Sequence, residues 1–161
     1  MGMFDGVKCK YPLPLAGAND LGYQTKDTDA QCCDLYEIRE DGTLWHEDYD
    51  REDQSDAAKW EKENPGKEAP KELDAFFGCM AKVNKRWVQV PNVTGEICFY
   101  TIYSIVGGMM TNATSRYGWL EWSAYFVAGK LNQVNLVENR LPEASNDELC
   151  GGGPEGGSNA R

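Results

Sequence analysis

Carboxylates are the side chains this chain could most readily put to chemical use. Asp48, Asp50, Glu52 and Asp53 lie close together, and acids at alternate positions are what a hard cation such as Mg²⁺ or Ca²⁺ requires. An EF-hand loop also needs glycine at its sixth position, and Asp48-Tyr49-Asp50-Arg51-Glu52-Asp53 has none there. The single histidine, His46, is the one imidazole that could serve a catalytic triad. It stands beside Glu47 and Asp48 without H-E-x-x-H or C-x-x-C spacing around it, and reads as an exposed residue at the end of a strand. Neither G-x-x-x-x-G-K-[ST] nor G-x-G-x-x-G occurs, so no glycine loop is built to cradle phosphate. A hydrolytic carboxylate pair has no better support, because any acidic chain offers the same candidates. The expectation is a protein without enzymatic activity, cofactor or metal.

The charge balance says more. The formal net charge is −10, and Glu40 to Asp74 holds 13 acids against 5 bases, a local −8. Phosphate backbones and anionic membranes both call for clustered Lys and Arg, so direct nucleic-acid binding and membrane docking are not expected. A protein partner with a basic surface fits the sign. Within the acidic stretch, Trp45, Tyr49 and Trp60 are aromatic anchors of the kind that dominate binding hot spots. The candidate partner-binding set is therefore Trp45, Glu47, Asp48, Tyr49, Asp50, Glu52, Asp53, Asp56, Trp60, Glu61 and Glu63. Met1 to Leu15 lacks the features of a secretory signal, and the most apolar stretch, Ile97 to Met110, is too short to span a bilayer. A cytoplasmic location follows, and in a reducing compartment Cys9, Cys32, Cys33, Cys79, Cys98 and Cys150 are expected as thiols.

The elements that would position these residues are mainly β. Phe4 to Leu15 begins as a strand that Pro12 and Pro14 interrupt, and Gly17, Asn19, Asp20 and Gly22 mark a loop. Leu35 to His46 alternates on both sides of Asp41-Gly42, which predicts a β-hairpin with both turn residues at positive φ. Residues 47–80 read as an acidic helical insertion. One helix is capped within Asp53-Gln54-Ser55-Asp56 and stops before Asn64-Pro65-Gly66, and a second covers Lys71 to Met80. Arg86 to Val90 and Glu96 to Tyr103 read as strands, with Val106 to Gly118 as a long polar loop. Trp119 to Val127 alternates with Leu120, Trp122, Ala124 and Phe126 on one side, Ala128-Gly129 turns the chain, and Leu131 to Val137 returns. The fold class expected is mainly β (α+β): a single antiparallel sheet or small β-sandwich over residues 1–142 with a short acidic helical insertion. A flexible glycine-rich tail covers 143–161.

Five sequence blocks carry a resemblance. Met1-Gly2-Met3-Phe4-Asp5 leads into Val7-Lys8-Cys9-Lys10-Tyr11-Pro12-Leu13-Pro14, followed by Tyr23-Gln24-Thr25-Lys26 and by Tyr36 to Leu44. Gly95-Glu96-Ile97-Cys98-Phe99-Tyr100 and Glu121-Trp122-Ser123-Ala124-Tyr125-Phe126 complete the series. In this order they resemble a family of small proteins encoded by tailed bacteriophages and prophages, a family without an established activity or catalytic motif. The resemblance implies a phage accessory protein in the host cytoplasm. Joined to the acidic stretch, it suggests a protein that binds a host protein and inhibits host defence by presenting carboxylates to a basic channel. The alternative is a minor virion component such as a decoration, neck or tail protein. A homo-oligomer is compatible with either reading.

Overall fold

The computed structural model describes residues 3–28, 31–70, 80–112 and 117–142. Among them are nine strands: β1 (Asp5–Cys9), β2 (Gly22–Thr25), β3 (Leu35–Ile38), β4 (Leu44–Asp53), β5 (Met80–Gln89), β6 (Gly95–Val106), β7 (Met109–Asn112), β8 (Gly118–Val127) and β9 (Lys130–Arg140). A short 3₁₀ turn, Ala18–Asp20, and one α-helix, α1 (Asp56–Glu63), complete the described elements. All nine strands belong to a single sheet in the order β5-β4-β3-β1-β2-β6-β8-β9, with β7 paired to the far end of β6. Pairing is antiparallel throughout except between β1 and β3, which run parallel. The mainly β, α+β class is therefore what the sequence pattern predicts.

Alternation builds the core, because successive side chains on a strand point to opposite faces. On β8, Leu120, Trp122, Ala124 and Phe126 are all fully buried. The register sets Trp122 opposite Phe99 and Ala124 opposite Ile97, and Val7 on β1 opposite Tyr23 on β2. Tyr23 and Phe99 meet edge-to-face with ring centroids 5.1 Å apart. Each such buried aromatic contributes about 1.5–3 kcal/mol of transfer free energy.

The sheet curls, as twisted strands make it do, until its two ends meet at one corner. There Thr43, just before β4, bridges Lys130 at the start of β9, and the Leu131 amide donates to the Gly42 carbonyl at 2.7 Å. Nearby, the Val90 amide donates to Leu44 O and the Gly129 amide to Val93 O.

Several expectations need correction. The β3–β4 hairpin forms, but only Gly42 has positive φ (78°). The Gly42 amide donates to Arg39 O and the Arg39 amide to Thr43 O, which describes a type I turn followed by a left-handed glycine, one residue longer than a two-residue loop. Asp41 stays in the ordinary region and accepts from the Thr43 amide and hydroxyl at 3.0 and 2.6 Å. The segment predicted as a loop from Val106 to Gly118 is a tight turn and a strand as far as Asn112, and residues 113–116 lie outside the described residues. Gly107 and Gly108, at φ 59° and 81°, turn β6 directly into β7.

The acidic insertion does not begin at residue 47, because β4 continues as a strand to Asp53. What lies between β4 and β5 starts at residue 54. The first predicted helix is α1, with the Ser55 hydroxyl accepting from the Ala58 amide at 3.1 Å and Asn64 ending it. The second predicted helix lies outside the described residues apart from Met80, which opens β5, and the 143–161 tail also lies outside them.

Candidate functional site: the acidic arm and the cleft beneath it

Strand pairing decides what becomes of the acids on β4. Its partner β5 carries Lys82, Lys85 and Arg86, and the antiparallel register sets Asp48 directly opposite Arg86. Arg86 bonds Asp48 at 2.5 Å and Asp50 at 3.3 Å, while Lys85 bonds Glu47 at 3.1 Å. Asp50 also accepts from Asn84 at 3.0 Å, and these hydrogen bonds, with the Arg86 charge, hold its carboxyl below the usual range. Lys62 on α1 reaches back to Glu52, Lys59 pairs with Asp56 at 3.0 Å, and Asp53 accepts from the Ser55 amide at 2.8 Å. Exposed pairs of this kind add at most about 1 kcal/mol of stability each, but they cancel the charge.

The candidate set therefore divides. Glu47, Asp48, Asp50, Glu52, Asp53 and Asp56 are occupied by this molecule's own cations or amides, whereas Glu61 and Glu63 are exposed and form no ion pair among the described residues. The aromatics are also engaged. The Arg39 guanidinium lies 3.6 Å from the Trp45 ring centroid, and the indole N–H donates to Thr43 Oγ1 at 2.8 Å. The Tyr49 hydroxyl donates to Asp34 at 2.6 Å with Lys82 over its ring, and Trp60 is half-buried on α1. The arm is a partly neutralised ribbon rather than a continuous face of free carboxylates.

Beneath the arm the curl of the sheet leaves an open cleft of about 790 Å³. Its walls are the inner residues of β3, β4 and β5 on one side and the start of β6 on the other, joined by the segments around Asp27 and Asp34. Tyr36, Leu44, Val88 and Ile97 supply an apolar lining, and Asp27, Asp34 and Glu96 supply three carboxylates. No Lys or Arg lines it among the described residues. His46 belongs to this cleft rather than to an exposed strand end: it is half-buried, and its ring lies 6.0 Å from that of Tyr36. Among the described residues its imidazole makes no hydrogen bond to a carboxylate or nucleophile, and no group of three or more His, Cys, Asp or Glu converges as metal ligands would.

A buried carboxylate anchors the Asp34 segment. Asp5 is completely buried on β1, accepts from the Thr28 hydroxyl, and accepts from the Asp34 amide at 2.8 Å. The Gly6 amide in turn donates to Asp34 O at 2.8 Å. Burial works to raise the Asp34 carboxyl, but hydrogen bonds from Tyr49 and Lys82, with the charges of Lys82 and Arg51, outweigh it and hold the group below the usual range. Asp27 accepts from the Cys98 amide at 2.7 Å, the Thr25 hydroxyl donates to Cys98 O at 2.7 Å, and Glu96 accepts from the Ser123 hydroxyl. Each acid is oriented by a neutral donor, except Asp34, which also meets Lys82. The sequence gives no local signal for this set, since the residues are separated by up to about seventy positions and converge only through the curl.

Comparison of the chain with protein-family models, curated proteins and solved structures finds no match. No described helix is long and apolar enough to cross a membrane.

Proposed function

We propose that this protein is a non-enzymatic binding module whose cleft receives a basic segment of a protein partner. The observation that carries the reading is the cleft's composition: Asp27 and Glu96 present exposed carboxylates held only by neutral donors beside an apolar lining, Asp34 being paired with Lys82, and no Lys or Arg lines the cleft among the described residues. Lys and Arg side chains have an aliphatic stem and a charged head, and such a surface suits both parts at once. The Tyr36 ring, with the His46 ring tilted 39° beside it, adds an aromatic face against which a guanidinium can lie. In the phage setting that the sequence resemblance implies, the partner is a host protein, and occupying its basic surface is how inhibition would arise.

The test is capture from a phage-sensitive host lysate using wild type, an Asp27→Asn/Glu96→Gln cleft variant, and an Asp48→Asn/Asp50→Asn/Asp53→Asn/Asp56→Asn arm variant. The expected result is one stoichiometric partner that the cleft variant binds about tenfold more weakly, from two partly exposed ion pairs at roughly 0.7 kcal/mol each. Binding should also weaken with ionic strength. Loss confined to the arm variant would move the contact to β4 and α1 and overturn the cleft reading.

A second reading, a minor virion component, is favoured by the β6–β7 tip, where Ile105, Val106 and Met109 are exposed around the two glycines. Assembly interfaces bury such surface. Recovery of the protein in purified particles, with no host partner captured, would support it.

A further inference from the structure

The face of the sheet opposite the cleft carries a second concavity. Strand register pairs Glu37 with Trp45 and Glu47 with Trp87, so these side chains share one face, while Tyr36, Leu44, His46 and Val88 share the other. On the first face lies an open pocket of about 490 Å³ lined by Lys10, Glu37, Arg39, Glu40, Asp41 and Trp87. Glu37 and Trp87 stand on strands two places apart, roughly 10 Å across the sheet, with room between them for a six-membered ring and its substituents. The polar groups are fixed in advance. The Glu37 carboxylate is almost wholly buried and takes Lys10 Nζ at 3.0 Å and Arg39 Nε at 3.2 Å. The Arg39 guanidinium is also laid over the Trp45 ring, 3.6 Å from its centroid. Hydrogen bonds from the Thr43 hydroxyl and amide hold Asp41 in place and keep its carboxyl below the usual range.

This mixed lining selects a ligand class by its charges. An anion meets three carboxylates, and a cation meets Lys10 and Arg39. An apolar molecule strips water from five charged groups and gives them no bond in return. A hydroxyl both donates and accepts, so a row of hydroxyls satisfies neighbouring ammonium, guanidinium and carboxylate groups at once. The half-buried Trp87 indole supplies the apolar wall that the C–H edges of such a ligand need. We infer that this pocket binds a neutral saccharide, one ring set against Trp87 with its hydroxyls bonded to Lys10, Arg39 and the surrounding carboxylates. The site is separate from the cleft and uses none of its acids.

The experiment titrates cellotriose, maltotriose and triacetylchitotriose into the isotope-labelled full-length chain, following the tryptophan indole N–H groups and the backbone amides. Glucose, glucuronate and glucosamine are titrated beside them as neutral, anionic and cationic single rings. At least one trisaccharide is expected to shift the Trp87 indole and the amides of Glu37 to Asp41, with a Kd on the order of 1 mM. That affinity should not change with ionic strength, since the ligand is neutral. Trp87→Ala should weaken binding about tenfold and Trp87→Phe less, with amide positions away from β5 unchanged to show that both variants fold. Asp27→Asn/Glu96→Gln should bind as wild type does. No trisaccharide shift at Trp87, a response that Trp87→Ala leaves intact, or tighter binding of glucuronate or glucosamine than of glucose would each overturn the inference.

Discussion

Ala128 offers a prediction whose sign is fixed by backbone geometry. The turn joining β8 to β9 has two residues, Ala128 at φ 49° and Gly129 at φ 79°, as a type I′ hairpin requires. Left-handed backbone costs an L-residue with a Cβ roughly 1–2 kcal/mol, and the exposed Ala128 side chain has no packing to offset it. Its amide donates to Thr94 Oγ1 at 3.0 Å, a bond that survives any side-chain change except proline. Asn tolerates this region through its short polar side chain, so Ala128→Asn should stabilise by about 1 kcal/mol. Ala128→Gly should gain less, about 0.5 kcal/mol, because the extra freedom of the unfolded chain takes back part of the relief. Ala128→Val, β-branched where φ is positive, should cost at least about 1 kcal/mol. Urea unfolding followed by the fluorescence of the five tryptophans would read these as midpoint shifts at constant slope. At this chain length 1 kcal/mol corresponds to roughly 2–4 °C in Tm. A midpoint that falls for Asn, or does not move for Val, would refute the turn assignment.

Other consequences are equally open to test. Asp5→Ala leaves the half-buried Asp34 amide and the Thr28 hydroxyl without their acceptor, so it should cost about 1–3 kcal/mol in the same unfolding assay, with Asp5→Asn milder. The Asp34 carboxyl is held below its usual value, so its contribution is fully present above an unfolded pKa near 3.9 and is lost as pH falls through the folded value. An acid titration of stability should therefore fall less steeply below about pH 4 in Asp34→Asn than in wild type. Burial pushes the Cys9 thiol up to about 12, and burial with the nearby Asp27 and Glu96 charges pushes Cys98 up to about 11. Iodoacetamide at mildly alkaline pH, read by peptide mass mapping, should then label exposed Cys33 well before either.

How much of this was legible in the sequence depends on how local each signal is. The β8–β9 hairpin follows from strict alternation around Ala128-Gly129, and β3–β4 from alternation around Asp41-Gly42, although the added loop residue does not. The run Glu47 to Asp53 reads as a departure from the sheet because acids are poor strand formers in isolation. It is a strand because Lys85 and Arg86 stand across from it, some forty positions later, where sequence spacing cannot show them. The parallel step between β1 and β3 is non-local in the same way, and β7 hides in a glycine-flanked stretch whose pairing is short. For the site, the sequence correctly marks where acids are dense, but density is not exposure of charge. The arm acids meet partners, and the cleft acids Asp27, Asp34 and Glu96 come from three segments with no shared motif.

The central claim is that the cleft receives a cationic segment, and amide chemical-shift mapping tests it most directly. A short Arg- and Lys-bearing peptide would be titrated into the labelled full-length chain at low ionic strength. The account predicts shifts concentrated at Asp27, Asp34, Tyr36, His46 and Glu96, diminished in Asp27→Asn/Glu96→Gln and at high salt. Shifts confined to Glu61 and Glu63 on α1, or spread evenly over the acidic surface, would contradict it.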